Sequence, residues 1–525
     1  MAEAKERADW PLWREAVNRE LQSIFEKAVY EDMSADLVPE GKTPIPTKWV
    51  FDYKTDCHNE VLDRKARLVA KGFHQSPGID YGETYAPTIQ DTTLRLLLQY
   101  AAEWKLTVNQ IDVKTAFLNG ELVEEVYVLP PPGLPLKGRV WRLNTALYGL
   151  KQAANAWYSK WTEAMLEIGL KPTEADPCLF VGNGVRVGLY VDDALIFGNT
   201  EKVERLIQQI KSKFEIKHMG DLSTGNSFKF LGMELERSTT PKIGIVMKQE
   251  RYARLLLERF NMSKCNAVST PMVPGLKLSH EGEELPENNE YAAIVGSLLY
   301  LAVKTRPDIS YAVGVLTRFM SCPRLPHLQA AKRVLRYISK DPGAGLFFAG
   351  RMFKEKRTPS LRCKLFSDAD FAGDPVMRKS TSGMVLMVNG APVMWKSRLQ
   401  SIVALSTCEA EFVAAGAAAR EGLWFKKLLS AVAGREGPLD LFCDNESALV
   451  LLNSAAPKVT GRTKHIDVQF WFVLDHIMKG ELVPCVVKSE NMLADCFTKP
   501  YAGPAVESNM RRLGMRVSDT CDKSE

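Results

Sequence analysis

No Cys-X-X-Cys pair occurs in the 525 residues, and the ten cysteines are scattered. That spacing argues against a tetrathiolate zinc site and against a disulfide framework, so a reducing compartment is expected. The first residues, Met1-Ala2-Glu3-Ala4-Lys5-Glu6-Arg7, are charged and lack the apolar core of a signal peptide. No stretch approaches the roughly 20 apolar residues of a membrane span. A dense basic run of the nuclear-import kind is also missing, and no internal repeat is evident. Neither sign of charge dominates, since the formal net charge is +5. A mild positive balance suits a polyanionic partner without demanding one. These absences predict an intracellular, cytoplasmic protein with no membrane partner.

What remains is an ordinary globular composition, 46% hydrophobic and 25% charged. The length suits roughly three or four domains. Residues 10–32 have Trp13, Val17, Leu21, Ile24 and Phe25 at helical spacing. Residues 65–71 read as a strand with basic residues on one face. Helical patterns follow at 92–104, 148–169 and 201–214, and Phe230-Leu231-Gly232-Met233-Glu234-Leu235 reads as a strand. The stretch 271–289 is rich in Pro, Gly, Glu and Asn and reads as a linker. Helices are expected over 290–340. A β-rich unit starts near Leu361, with a hairpin turn at Asn389-Gly390. After Pro500 the tail is polar and reads as loose.

Two adjacent carboxylates stand out in Tyr190-Val191-Asp192-Asp193. They sit at the tip of an apolar alternating segment in which Val185, Val187, Leu189 and Val191 share one face. The pattern fits a β-hairpin with the acids at its turn. Eighty residues earlier, Asp112 ends another apolar strand. Three carboxylates on neighbouring strand ends suit two divalent ions and phosphate chemistry. They repel one another without metal, which argues against a purely structural role. Phe117, five residues after Asp112, would pack in the core or lie beneath a nucleotide sugar.

These motifs, in their order, resemble the reverse transcriptase and ribonuclease H of copia-type long-terminal-repeat retrotransposons. The matching segments are Lys65-Ala-Arg-Leu-Val-Ala-Lys-Gly-Phe73, Tyr85-Ala-Pro-Thr88, Gln110-Ile-Asp-Val-Lys-Thr-Ala-Phe-Leu-Asn-Gly120, Leu147-Tyr-Gly-Leu-Lys-Gln-Ala153, Tyr190-Val-Asp-Asp193 and Phe230-Leu-Gly232. Val295-Gly-Ser-Leu-Leu-Tyr-Leu301, Thr305-Arg-Pro-Asp-Ile309 and Ala331-Lys-Arg-Val-Leu-Arg-Tyr337 follow. The resemblance covers roughly residues 10–510. It implies that Asp112, Asp192 and Asp193 hold polymerase metal ions and that Phe117 is the sugar gate. It places Lys65, Arg67 and Lys71 in the segment that meets the incoming triphosphate, without saying which of them makes contact. Gln152 would lie over the nucleotide and template, and Phe230, Leu231 and Gly232 would form the primer grip. Ala154-Asn155 depart from the Pro-Arg that the family shows after Lys-Gln-Ala, which puts a template or fingers contact in question.

The C-terminal unit carries four spread acids, Asp368, Glu411, Asp444 and Asp495. Its order of strand, hairpin, helix, strand and helix resembles a ribonuclease H fold. Ser367-Asp-Ala-Asp-Phe-Ala-Gly373, Ser380-Thr-Ser-Gly383, Ser406-Thr-Cys-Glu-Ala-Glu411, Lys464-His-Ile-Asp467 and Leu493-Ala-Asp-Cys-Phe-Thr-Lys499 match the copia type. By that match the four acids hold two ions and hydrolyse RNA paired to DNA. Asp370 and Glu409 compete with Asp368 and Glu411. Two residues apart on a helix point in different directions, so only one glutamate can face the site. Ser406 through Glu409 read as a capping box. His465 would approach the site or shape a helix entry, and Arg462 and Lys464 would contact hybrid backbone or form an exposed basic edge.

The implied architecture is an α+β right-hand polymerase followed by an α/β ribonuclease H-like domain. Its boundaries are a helical lead-in at 1–45, fingers and palm at 46–236, thumb and connection at 237–360, ribonuclease H at 361–500 and a tail at 501–525. Implied partners are an RNA template, a DNA primer and product, the RNA–DNA hybrid and dNTPs, and the resemblance adds a virus-like particle or the nucleus as locations alternative to the cytoplasm. The implied cofactors are two divalent ions per active site, Mg2+ first and Mn2+ as the alternative. No Asp-Thr/Ser-Gly protease motif, integrase-type zinc module or zinc knuckle is present, so the chain is expected to be the terminal portion of a polyprotein or a separately encoded remnant. The rival reading is a catalytically inert or ribonuclease-H-only remnant that binds nucleic acid.

Overall fold

Pro11 opens the first helix, α1 (Trp10–Glu26), which buries Trp13, Ala16, Val17, Glu20 and Ile24 at helical spacing. The chain then turns through Ala28 at φ 47° into β1 (Tyr30–Ser34), so the helix is shorter than the 10–32 pattern suggests. The computed structural model describes residues 6, 9–55, 61–134, 137–222, 227–239, 243–287, 289–350, 358–445 and 464–516. β2 (Thr47–Thr55) and β3 (Val61–Ala70) form an antiparallel ribbon. Ala66, Leu68 and Ala70 face inward on β3, leaving Lys65 and Arg67 on the other face.

The central sheet follows α2 (Asp91–Trp104). β4 (Thr107–Val113) belongs to it, whereas β5 (Glu121–Val128) and β6 (Arg139–Thr145) pair with β1 in a separate three-stranded sheet. α3 (Ala153–Ile168) begins five residues later than the 148–169 pattern, because Leu147–Gln152 form a turn. Next come β7 (Lys171–Pro172), β8 (Leu179–Gly182), β9 (Val185–Tyr190), β10 (Asp193–Gly198), α4 (Thr200–Lys211) and β11 (Ile216–Asp221). The six-stranded order is β11-β4-β10-β9-β8-β7, with β4 and β10 adjacent as its second and third strands.

β12 (Phe228–Phe230) and β13 (Met233–Ser238) replace the single strand suggested at 230–235. Leu231 and Gly232 both take positive φ, 49° and 74°, and reverse the chain between paired Phe230 and Met233. β14 (Gly244–Lys248) leads into α5 (Glu250–Arg259). The expected linker is irregular but buries Met272 and Leu278. α6 (Tyr291–Lys304), α7 (Ser310–Thr317) and α8 (Leu325–Lys340) fill the next stretch, and β15 (Gly345–Ala349) pairs with β14.

The last unit is built on β16 (Cys363–Ala369), β17 (Thr381–Val388), β18 (Ala391–Leu399), α9 (Thr407–Ala433), β19 (Leu439–Cys443), α10 (Lys464–Met478) and β20 (Leu482–Val486). Its order is β18-β17-β16-β19-β20, antiparallel on one side of β16 and parallel on the other. That mixed sheet, with α9 crossing between β18 and β19, is the ribonuclease H-like arrangement. The tail is not loose through residue 516. α11 (Gly503–Arg512) buries Val506 and Met510, and β21 (Met515–Arg516) pairs with β15. Val506, Met510 and Leu513 lie at helical intervals among polar residues, a face the polar composition hides. One continuous apolar core runs from Ile89 to Met515, joining the central sheet, the helices after it and the last unit. No described helix is long and apolar enough to cross a membrane.

Candidate active sites

The first acidic centre lies where β4 and β10 pair. Asp193 stands directly opposite Asp112, and Asp192 occupies the two-residue turn that precedes it. Val191, the other turn residue, sits at φ 56°. A β-branched residue there is strained by about 1–2 kcal/mol. Two bonds hold the turn in place: Trp157 Nε1 on α3 donates to the Val191 carbonyl at 2.6 Å, and Val113 N donates to the Asp192 carbonyl at 2.8 Å. Gln110 Nε2 donates to Asp193 Oδ1 at 3.3 Å. Burial, then the charges of Asp192 and Asp112, push the Asp193 carboxyl up to about 6 despite that bond. A set of hard oxygen donors under mutual repulsion fits a divalent cation.

Basic and aromatic groups face these acids. Burial and Arg67 lower the Lys65 pKa, while Asp112 and Asp192 act in the opposite direction. The Arg67 guanidinium lies 5.4 Å over the Tyr148 ring, and its buried Nε has no protein partner. Phe117 meets Tyr148 edge-on at 5.3 Å and is half-buried between two core clusters. Tyr148, its pKa pushed up to about 12 by burial, therefore links Phe117 to Arg67. Gly149 allows this: at φ 88°, a Cβ there would lie 2.2 Å from the Ala70 carbonyl oxygen. Ala70 N in turn donates to the Tyr148 carbonyl at 2.7 Å, fixing the end of β3 to the turn. Lys71, half-buried, follows immediately.

The second centre is tighter. Among the described residues, Asp368, Glu411 and Asp444 form one cluster whose ligand oxygens all lie within 4.8 Å of one another. Asp368 lies on β16, Glu411 on the buried face of α9, and Asp444 directly after β19. Burial, with neighbouring carboxylates adding to it, raises Asp368 and Glu411 well above the ordinary carboxylate range. Glu411 Oε2 is buried with no hydrogen-bond partner, as a cation ligand would be. Ser489 Oγ donates to Asp444 Oδ2 at 2.8 Å. Asp495, in the short helical turn Leu493–Phe497, lies against Asp368 and pairs with Lys499 at 2.8 Å. Gly383 lets this turn reach β16, since a Cβ there would fall 2.7 Å from the Ala494 carbonyl oxygen.

Both competing acids are engaged elsewhere. Ser406 Oγ caps α9 by accepting from Glu409 N at 3.2 Å, and Glu409 Oε2 accepts from Leu405 N at 2.7 Å. Asp370 accepts from Thr381 N across the strand ends.

Residues 31–274 match the family model described as reverse transcriptase (RNA-dependent DNA polymerase). Nearly the whole chain aligns with plant Pol polyproteins of copia-type transposons. The chain is homologous to this portion of the copia-type Pol polyproteins. It is 36% identical over 516 residues to the retrovirus-related Pol polyprotein from transposon TNT 1-94 of Nicotiana tabacum, covering 95% of this chain and 37% of that protein. To the polyprotein from transposon RE1 of Arabidopsis thaliana it is 37% identical over 516 residues, covering 96% of this chain and 34% of that protein. The chain thus spans roughly a third of the length of these relatives. A foamy viral protease–reverse transcriptase in complex with double-stranded DNA has a similar fold, with a TM-score of 0.50, 10% identity, and coverage of 90% of this chain and 69% of that one.

Within this copia-type frame, Gln152 does not line an open nucleotide site. It is buried, donates through Nε2 to the Asp80 carbonyl at 2.8 Å and accepts from Gln75 Nε2 at 2.9 Å. Gln75 also accepts from Lys151 N at 2.8 Å, so the pair clamps the 75–80 loop onto the turn before α3. The variant Asn155 donates to the Tyr85 carbonyl at 2.6 Å. Phe230 is fully buried, while Leu231 and Gly232 form the β12–β13 turn, whose Leu231 carbonyl accepts from Tyr300 Oη at 2.9 Å. Sequence reasoning missed Tyr148 as the support of Phe117 and Tyr300 as the partner of the Leu231 turn, although both lie inside matched segments. Arg462 and the side chains of Lys464 and His465 lie outside the described residues.

Proposed function

We propose that the chain copies RNA into DNA at the Asp112–Asp192–Asp193 centre and cleaves the RNA of the resulting hybrid at the Asp368–Glu411–Asp444–Asp495 centre. The observation that carries this reading is the pair of separate carboxylate sets, each fixed on strand and helix ends and each under charge repulsion that a cation would relieve. Divalent ions, Mg2+ first and Mn2+ as the alternative, would activate an attacking oxygen and neutralise a leaving one at each centre. The chain's own residues do the rest. Lys65, Arg67 and Lys71 offer positive charge to an incoming dNTP. Phe117, seated on Tyr148, would lie beneath its sugar and exclude a 2′-hydroxyl. The Leu231–Gly232 turn would hold the primer end through backbone groups. RNA template, DNA primer and hybrid would bind through phosphates and shape, so affinity should fall steeply with salt.

The test is primer extension by purified protein on an RNA template with labelled DNA primer, dNTPs and Mg2+, the RNA being followed in the same reactions. Extension that disappears on joint Asp192→Asn and Asp193→Asn substitution supports the polymerase. Bound hybrid without extension refutes it, and RNA cleavage alone would leave only the second activity.

A further inference from the structure

Tyr501 follows the last matched motif and belongs to a segment that reads as loose. Yet its hydroxyl donates to Asp495 Oδ2 at 2.9 Å. Lys499 Nζ reaches the same oxygen at 2.8 Å, but half of that side chain is exposed, so the tyrosine is the better fixed of the two donors. Both donors act on Oδ2, which leaves Oδ1 without either of them. The adjoining Thr498 hydroxyl donates to Asp368 Oδ2. Residues 498–501 thus hold two of the four acids.

The tail fixes this arrangement from outside the sheet. The Tyr501 ring lines a crevice with Met272, Tyr311, Val506 and Met510. Beyond it, α11 is pinned by Arg512 Nη1 donating to the Glu490 carbonyl at 2.9 Å and by a Lys340–Glu507 ion pair. β21 then adds to the sheet of β15. Asp495 is therefore oriented by a strap anchored on α8 and β15, elements outside the ribonuclease H-like sheet.

We propose that Tyr501 is a positioning residue for Asp495 and sets how tightly the second acidic centre holds a divalent cation. The assignment of hybrid cleavage to that centre rests on the function proposed above; the cation-binding claim does not. Partners that orient metal ligands typically change metal affinity or activity by about 10–100-fold when removed. Tyr501→Phe deletes the hydroxyl and keeps the ring in its crevice.

The experiment uses the full chain with Asp192→Asn and Asp193→Asn, which weakens cation binding at the first centre. Mn2+ binding is titrated by the loss of free-ion electron paramagnetic resonance signal, with and without Tyr501→Phe. In parallel, the Mg2+ concentration for half-maximal hybrid cleavage is measured. The expected result is Mn2+ affinity weaker by about tenfold, a matching rise in the Mg2+ requirement, and a melting temperature shifted by less than about 2 °C. Mn2+ affinity and Mg2+ requirement both within twofold of the parent would overturn the proposal, as would a parent that binds no Mn2+. A tenfold loss of Mn2+ affinity in a parent that cleaves no hybrid would uphold Tyr501's role and refute the cleavage reading instead.

Discussion

Replacing Arg95 with methionine should loosen the junction of three parts of the molecule at once. Arg95 lies on α2 and is buried. Its guanidinium donates to the carbonyls of Val303 and Lys304 at the end of α6, the latter at 3.0 Å, and to Val393 on β18 at 3.2 Å. It also stacks 4.0 Å over Trp395, whose Nε1 donates to the Ala302 carbonyl at 2.9 Å. The last carbonyls of a helix have no intrahelical partner, and here a cation and an indole from two other units satisfy them. Burial draws the Arg95 pKa down to about 10, the cost of holding this charge without a contacting carboxylate. Charged hydrogen bonds contribute about 1.5–3 kcal/mol each, and methionine recovers part of the apolar contact and removes the desolvation cost. The net loss should be about 3 kcal/mol. For one cooperative unit of this length, an unfolding entropy of about 2.1 cal/mol/K per residue makes that roughly 3 °C. Calorimetry should therefore show a melting point lower by about that amount and a transition that begins to split. A variant within 1 °C of the parent, with an unsplit transition, would refute the idea that Arg95 locks the units together.

Two further outcomes follow from the acidic centres. Glu411 is held above the usual carboxylate range by burial and by Asp368 and Asp444, so the folded state loses stability as pH rises above the unfolded carboxylate range. In chelator, thermal melts should show Glu411→Gln gaining on the parent between pH 5 and pH 8, and Mg2+ should narrow the gap; a gap that stays constant with pH would contradict the charge-repulsion reading. Trp157→Phe removes the bond to the strained Val191 turn while keeping an aromatic ring, and should slow primer extension roughly five- to tenfold, about one hydrogen bond's worth of free energy. Hybrid cleavage measured on the same preparation should stay within twofold, and equal loss of both activities would point to a general folding defect.

Local patterns made much of this architecture legible. The β9–β10 hairpin could be read because period-2 burial and the acid pair lie in one short segment, and its strands run Val185–Tyr190 and Asp193–Gly198. The Asn389-Gly390 turn was legible from its own two residues. The β12–β13 reversal was not, because its turn is made by Leu231 and Gly232 inside an apolar run and is stabilised by Tyr300 from a distant helix. The choice of Glu411 over Glu409 depended on which carboxylate α9 buries, and capping turns Glu409 toward Leu405 instead. Gln152 carried a motif but no sign that Asp80 and Gln75 would occupy its amide. Arg95 gave no local signal, since each of its partners comes from at least 200 residues away.

The central claim is that one chain carries two separable acidic centres. Its most direct test compares the Asp192→Asn/Asp193→Asn double variant with Asp444→Asn on one RNA–DNA primer-template, reading DNA extension and RNA shortening in the same tubes. The account predicts that the first variant loses extension and keeps RNA cleavage, and that the second does the reverse. Loss of both activities in either variant, with the protein folded and the hybrid bound, would contradict it.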